Sequence, residues 1–174
     1  MNEHLERIGN LIIEKAESEE ETLRNLGKNI FNMPELAFAY QIGKEIYMQR
    51  EEIFPNSKIE WDRETTLGNN SRIIYDLRLK VDNSKDIIIS FKMDTDQNKY
   101  VSDVKCLNEL NENEFEKIFC SLKIQDKKYL DIYYIEQVVP NLIKDVIVKK
   151  SFKLTHTIWH TKEYYCQIGV WIIK

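Results

Sequence analysis

Apolar residues recur at intervals of three and four from the start of the chain, at Leu5, Ile8, Leu11, Ile12 and Ala16, and again at Leu23, Leu26 and Ile30. That period predicts helix from about Glu3 to Ile30. The acidic run Glu17-Ser18-Glu19-Glu20-Glu21 within it reads as a solvated face or as the start of a second helix. Asn32-Met33-Pro34 predicts a fresh helix start, because a capping-type residue precedes a proline suited to the first turn. Leu36, Ala37, Tyr40, Ile42, Gly43, Ile46 and Tyr47 carry that helix to about Ile53, and Pro55-Asn56-Ser57 ends it. The period then falls to two. Ile59 and Trp61, then Ile73, Tyr75, Leu77, Leu79 and Val81, alternate with polar residues as strands do, and Asp82-Asn83-Ser84-Lys85 is a turn. The run from Ile87 to Met93 is β-branched and nearly continuous, which suits a central strand covered on both faces. Helical spacing returns at Tyr100, Val101, Val104, Leu107 and Leu110, followed by an apolar strand from Phe115 to Ile124. From Lys128 to about Ile143 the pattern predicts a helix with an irregular tail. Two strands, about Val146 to Ile158 and Tyr164 to Ile173, close the chain.

Helix, three strands, helix and strand in the middle of the chain imply an α/β fold with a mixed sheet flanked by helices, extended by an N-terminal helix and two further C-terminal strands. The 174 residues, 43% hydrophobic and 31% charged with 5 Gly and 3 Pro, fit a single domain over 1–174 and exclude a disordered chain or a disulfide scaffold. Cys106, Cys120 and Cys166 form an odd set without CxxC spacing, inside apolar runs, which predicts small buried hydrophobes in a reducing cytoplasm. No stretch approaches a membrane span, and MNEHLERIGN lacks the pattern of a signal peptide. The formal net charge of −4 disfavours a generic nucleic-acid-coating role, although it leaves room for local basic patches.

Charge placement within the strands supplies the candidate chemistry. Tyr75-Asp76-Leu77 lies on the second strand of the middle unit and Ser90-Phe91-Lys92 on the third, with fourteen residues from Asp76 to Ser90. With the helix at Lys99-Tyr100-Val101-Ser102-Asp103-Val104, the strand through Phe119-Cys120 and the closing Ile168-Gly169-Val170-Trp171, this arrangement resembles the PD-(D/E)xK superfamily, which includes restriction endonucleases and repair nucleases. The resemblance covers about Pro34 to Ile124 and implies a restriction endonuclease-like αβββαβ core. It also implies a metal-dependent phosphodiesterase acting on nucleic acid, DNA above all, in which Asp76, Ser90 and Lys92 stand at the catalytic positions. Mg²⁺ or Mn²⁺ would be the cofactor, and a homodimer would be the natural form for cutting both strands. Such chemistry needs carboxylates to hold a hard cation through oxygen and a lysine to orient water and stabilise developing charge.

Ser90 departs from the family pattern by replacing a charged ligand with a neutral hydroxyl. Either charge comes from elsewhere or the chemistry is lost. Glu35, at the start of the preceding helix, is the first candidate to join Asp76 as a metal ligand, since family members turn that helix towards the site. Glu60, Glu64, Asp94 and Asp96 are the others. Glu35 reads equally as a favourable first-turn acid, and Asp76 among Arg72, Arg78 and Lys80 reads equally as an ion pair on a solvated sheet face. Ser90 and Lys92 share a face, being two apart on a strand. A three-residue hairpin loop would set Asp76 opposite Lys92, and a two-residue loop would set it opposite Phe91 and facing away. Lys92 follows four apolar residues, so a nearby carboxylate is expected in any case.

Two other patterns carry less. His156 and His160 have a spacing that ligates zinc on a helix but lies far apart on a strand. Tyr129, Tyr133, Tyr134, Tyr164 and Tyr165 could stack on bases, though their spacing favours core or interface positions. The rival to the nuclease reading is a catalytically inactive interaction module of the same fold, a subunit of a bacterial or phage defence system whose acidic surface meets a protein partner. An unrelated α/β binding protein is the third.

Overall fold

The computed structural model describes residues 2–66, 74–93, 97–126, 133–155 and 163–174. Helix α1 spans Glu3–Arg24, α2 Glu35–Met48 and α3 Arg50–Ile53; strands β1 to β3 span Ile59–Thr66, Ile74–Val81 and Asp86–Met93. Helix α4 (Gln97–Asn108), strand β4 (Phe115–Gln125), the short helix α5 (Tyr134–Val138) and strands β5 (Ile143–Lys153) and β6 (Tyr165–Ile173) follow. The strands form one sheet in the order β1-β2-β3-β4-β6-β5, with β3 and β4 parallel and every other neighbour antiparallel. The α/β class, the N-terminal helix and the two C-terminal strands are those expected from the hydrophobic pattern. None of the described helices is long and apolar enough to cross a membrane.

Two apolar layers sandwich the sheet. On one face, Leu5, Ile8 and Ile12 of α1 and Phe38 and Ile42 of α2 pack with Leu77, Leu79, Ile87, Ile89 and Phe91. On the other, Tyr100, Val104 and Leu107 of α4 and Ile135 of α5 pack with Ile88, Phe119 and Trp171. Strand β3 is therefore buried from both sides, which is why its sequence is a continuous apolar run rather than an alternation. Each fully buried Ile, Leu or Phe contributes about 1.5–3 kcal/mol relative to exposure. The close approach of α2 to β1 and β2 depends on Gly43: a Cβ there would stand 2.7 Å from the Trp61 ring and 2.9 Å from Leu77 Cδ1. This contact fixes the height at which α2 begins, and with it the place of Glu35.

Several boundaries differ from the sequence reading for local reasons. Helix α1 stops at Arg24 rather than running to Ile30, since Gly27 takes φ +69° and the Lys28 N–H returns to the Leu23 carbonyl. Asn29 then caps a single 3₁₀ turn at Ile30–Asn32. The acidic run belongs to this one helix and is not wholly solvated. Glu20 is 2% exposed, and its carboxylate accepts from Ile30 N at 2.8 Å, Thr155 N at 2.9 Å and Thr155 Oγ1 at 2.6 Å. The second helix breaks at Gln49 into α2 and α3. In the segment expected to be one helix to Ile143, the described part holds α5 and a 3₁₀ turn at Pro140–Leu142, after which β5 begins three residues earlier than the expected Val146. Cys120 and Cys166 are buried free thiols, while Cys106 is half-buried.

Candidate functional site at the end of the third strand

The β2–β3 hairpin decides whether the candidate residues can meet. Its register pairs Leu79 with Ile87, Arg78 with Ile88 and Leu77 with Ile89, and the ladder ends there. Continued by one residue it brings Asp76 level with Ser90, two residues short of the Lys92 position expected from a three-residue loop. The parity is the same, so Asp76, Ser90 and Lys92 still share a face. Strand β2 also departs from regular alternation at this point: Leu77 packs in the α1/α2 layer and Tyr75 in the α4 layer, although residues two apart on a regular strand point the same way. Asp76 occupies the place where the strand changes face. Its carboxylate takes over the role of the lost ladder, as Oδ2 accepts from Phe91 N at 2.7 Å and from Ser90 Oγ at 3.4 Å.

Lys92, two residues further along β3, ends between two helices. Its Nζ lies 3.2 Å from Glu35 Oε1, in the first turn of α2, and 2.9 Å from Asp103 Oδ2 on α4. Glu35 Oε2 also accepts from Met93 N at 2.9 Å, so one carboxylate binds both the side chain of Lys92 and the backbone beyond it. The lysine side chain is 17% exposed and each of the two carboxylates 28%. At that burial the ion pairs are screened far less than surface pairs. Glu35 and Asp103 thus hold the ammonium directly, and Asp76 acts on it through charge alone.

The electrostatics follow from this excess of acid. Burial pushes the Asp76 carboxyl up to about 6, and the neighbouring charges of Glu35 and Asp103 push the same way, against the Phe91 N–H and the Lys92 ammonium. For Lys92 burial acts downward, but the hydrogen bond and charge of Asp103 together with Glu35 outweigh it, and the ammonium is held above its ordinary range. Lys92 therefore stays charged at neutral pH, while Asp76 is poised to take up a proton just below it.

Of the basic residues named beside Asp76, Arg72 lies outside the described residues and the other two are engaged elsewhere. Arg78 is engaged by Asp86, with Nε at 2.9 Å, and Lys80 by Asp62 at 2.8 Å. Glu60 lies beside Lys80 at 4.0 Å with its side chain 81% exposed, away from Lys92. Asp94, Asp96, His156, His160, Tyr129 and the side chain of Glu64 lie outside the described residues. Tyr133 is a core residue: its hydroxyl donates to the carbonyls of Lys150 and Ile168, and its ring meets Trp171 edge-on at 5.6 Å. Tyr165 donates its hydroxyl to Glu163. Sequence reasoning did not single out Asp103. The signal was present, since a buried lysine requires acid and Asp103 sits on the helix that follows β3, three residues after the core residue Tyr100.

The donors around Lys92 are all carboxylate oxygens, the type that suits Mg²⁺ or Mn²⁺. Among the described residues, however, no three His, Cys, Asp or Glu side chains are grouped so as to hold a metal ion. Both oxygens of Glu35 are engaged within the chain, and Ser90, 4% exposed, turns its hydroxyl to Asp76. No protein-family model matches the sequence, and comparison with curated proteins and with solved structures gives no match either.

Proposed function

We propose that this chain is a restriction endonuclease-like protein whose site at Asp76, Ser90 and Lys92 acts on the phosphodiester backbone of DNA with Mg²⁺ or Mn²⁺. The observation that supports this reading is the convergence of Glu35 and Asp103 on Lys92 at the end of a central strand, with the charge of Asp76 close enough to be felt. Beyond its hydrogen bonds to Phe91 N and Ser90 Oγ, Asp76 adds a third acid near the pair of acids on Lys92, in a place where burial and their charges oppose its ionisation. A site that receives a cation, or a proton from a reacting group, uses such a surplus of acid. Asp76 and Glu35 would hold the divalent ion, which when bound supplies Lewis acidity and neutralises phosphate charge. Lys92, kept protonated by its two acids, would face the non-bridging phosphate oxygens. Asp103, from α4, supplies acid that the sequence lacks at Ser90.

The second reading, a catalytically inactive module of the same fold that binds a protein partner, is favoured by one observation. The Ser90 hydroxyl is buried against Asp76 and offers no charge where the family pattern has an acid. Incubation of the protein with single- and double-stranded DNA and RNA, in Mg²⁺ or Mn²⁺ and in EDTA, separates the two. The nuclease reading expects metal-dependent cleavage that falls by about 10²-fold or more in Asp76→Asn and in Lys92→Met. An absence of cleavage on all four substrates with both metals would leave the binding module. Sedimentation of the protein with and without DNA would report whether two copies assemble on the substrate.

A further inference from the structure

The sheet face that carries Lys92 continues across β4 into a narrow cleft. In the parallel β3–β4 ladder Lys92 pairs with Ser121, and Lys123 follows two residues later on the same face. One strand spacing and two residues of rise put the Lys92 and Lys123 Cα atoms about 8 Å apart. The cleft around Lys123 is lined by Ser121, Gln125 and Gln167 from the sheet, with Tyr100 of α4 and Tyr134 of α5 closing it from above.

Among the described residues Lys123 differs from other cations held away from solvent, of which Lys117 meets the oxygens of Leu110 and Lys174. Arg78 has Asp86, Lys92 has two carboxylates and Lys149 has Glu136. The ammonium of Lys123 stands 5.8 Å from the centre of the Tyr134 ring and has no carboxylate partner among the described residues. A π-face supplies only part of the charge compensation that a partly desolvated ammonium requires. Burial acts on it, holding it below its ordinary range, with no acid among the described residues opposing that effect. Ser121 and Gln125 otherwise offer a hydroxyl and an amide, groups of the type that donate to an oxyanion, beside the Tyr134 ring on which a flat group can lie.

From this we infer that Lys123, with Ser121, Gln125 and Tyr134, forms a phosphate-binding subsite beside the Lys92 site. The inference rests on the nuclease reading for its source of phosphate, which is the strand position adjoining the reacting one, with the attached base or sugar against Tyr134. Charge-assisted contact to Lys123 holds the phosphate, and stacking on the ring tolerates any base.

The test uses the full chain, a short fluorescein-labelled single-stranded DNA of mixed sequence, and inorganic phosphate followed through the amide signals of residues 121–125. Lys123→Gln is expected to weaken oligonucleotide binding about tenfold, the scale of one charged hydrogen bond. It should also reduce the slope of log affinity against log salt by about 0.7, the loss of one phosphate contact to a single strand. Lys123→Arg should retain both, and inorganic phosphate should shift the amides of residues 121–125 in the wild type alone of the wild type and Lys123→Gln. Equal affinity and equal salt slope for wild type and Lys123→Gln would overturn the subsite while leaving the role of Asp76 and Lys92 untouched. If inorganic phosphate shifts those amides but no oligonucleotide binds, the subsite stands as a phosphate site and the nucleic-acid reading of the protein falls.

Discussion

Lys92 and Asp103 meet at 2.9 Å across the gap between the end of β3 and helix α4, and Glu35 closes the same ammonium from α2 at 3.2 Å. One side chain thus ties the two helical layers together at the edge where the sheet ends. Removing either acid leaves the lysine a single partner in a largely desolvated place. Asp103→Ala is expected to cost about 1–3 kcal/mol in urea denaturation, the range for a lost hydrogen bond to a charged group. Asp62→Ala, which removes a partner of Lys80 where the pair is 40% and 49% exposed, should cost less than about 1 kcal/mol. Equal costs for the two variants would mean that burial at Lys92 does not strengthen its ion pairs.

Asp76 makes stability depend on pH in an unusual direction. Its carboxyl titrates near 3.8 in the unfolded chain and at about 6 in the folded one, so between those values the folded state holds more protons. Stability from this group is complete below about pH 4 and is lost as pH rises through about 6, by at most about 3 kcal/mol. Asp76→Asn keeps an oxygen for the Phe91 N–H and removes the titration. The variant should therefore gain on the wild type as pH is raised from 4.5 to 7.5. Denaturation midpoints measured at both pH values decide the point: a difference between variant and wild type that does not change with pH would assign the titration elsewhere.

Glu20 offers a test away from the site. Its buried carboxylate joins α1 to the 3₁₀ turn at Ile30 and to Thr155 just beyond β5, accepting three hydrogen bonds. Glu20→Ala strands those donors, and a loss of about 3 kcal/mol or more is expected. Glu17→Ala, whose acid meets Lys150 on the surface, should stay within about 0.5–1 kcal/mol of wild type. Amide exchange at Ile30 and Thr155 should rise in the first variant and not in the second.

The contrast between Glu17 and Glu20 also marks how far the sequence could be read. Helical period placed both on α1, but a run of acids has no internal mark to tell which one finds a chain reversal and a strand end to cap. Long periodic elements were legible: α1, the hairpin, β3 and β4 all follow from spacing, and β3's unbroken apolar run correctly implied cover on both faces. The sequence left the parity of the Asp76 face open between a two- and a three-residue loop. The ladder through Leu77, Arg78 and Leu79 settles it and sets Asp76 level with Ser90, while the change of face at Tyr75 depends on which layer that ring joins. Asp103 is the clearest omission. A buried lysine demands a carboxylate, yet only the docking of α4 on the sheet decides which acid comes within reach.

Ser90 provides the most direct probe of what the site can hold. The hydroxyl is 4% exposed and 3.4 Å from Asp76 Oδ2, so Ser90→Asp would set a second carboxylate against the first in a buried place. Two such groups cannot both ionise cheaply. In EDTA at pH 8 the variant should be less stable than wild type by about 2–4 kcal/mol, with most of the loss recovered at pH 5, where one of the pair is protonated. A divalent cation would neutralise both acids. On the proposed function, Mn²⁺ should therefore raise the variant's stability at pH 8 by about 2.7 kcal/mol at a hundredfold excess over its dissociation constant, and the wild type's at the same Mn²⁺ concentration by much less. If Mn²⁺ acts equally on Ser90→Asp and on wild type, position 90 does not face a cation site, and Glu35 and Asp103 then serve through Lys92 to join the helices α2 and α4.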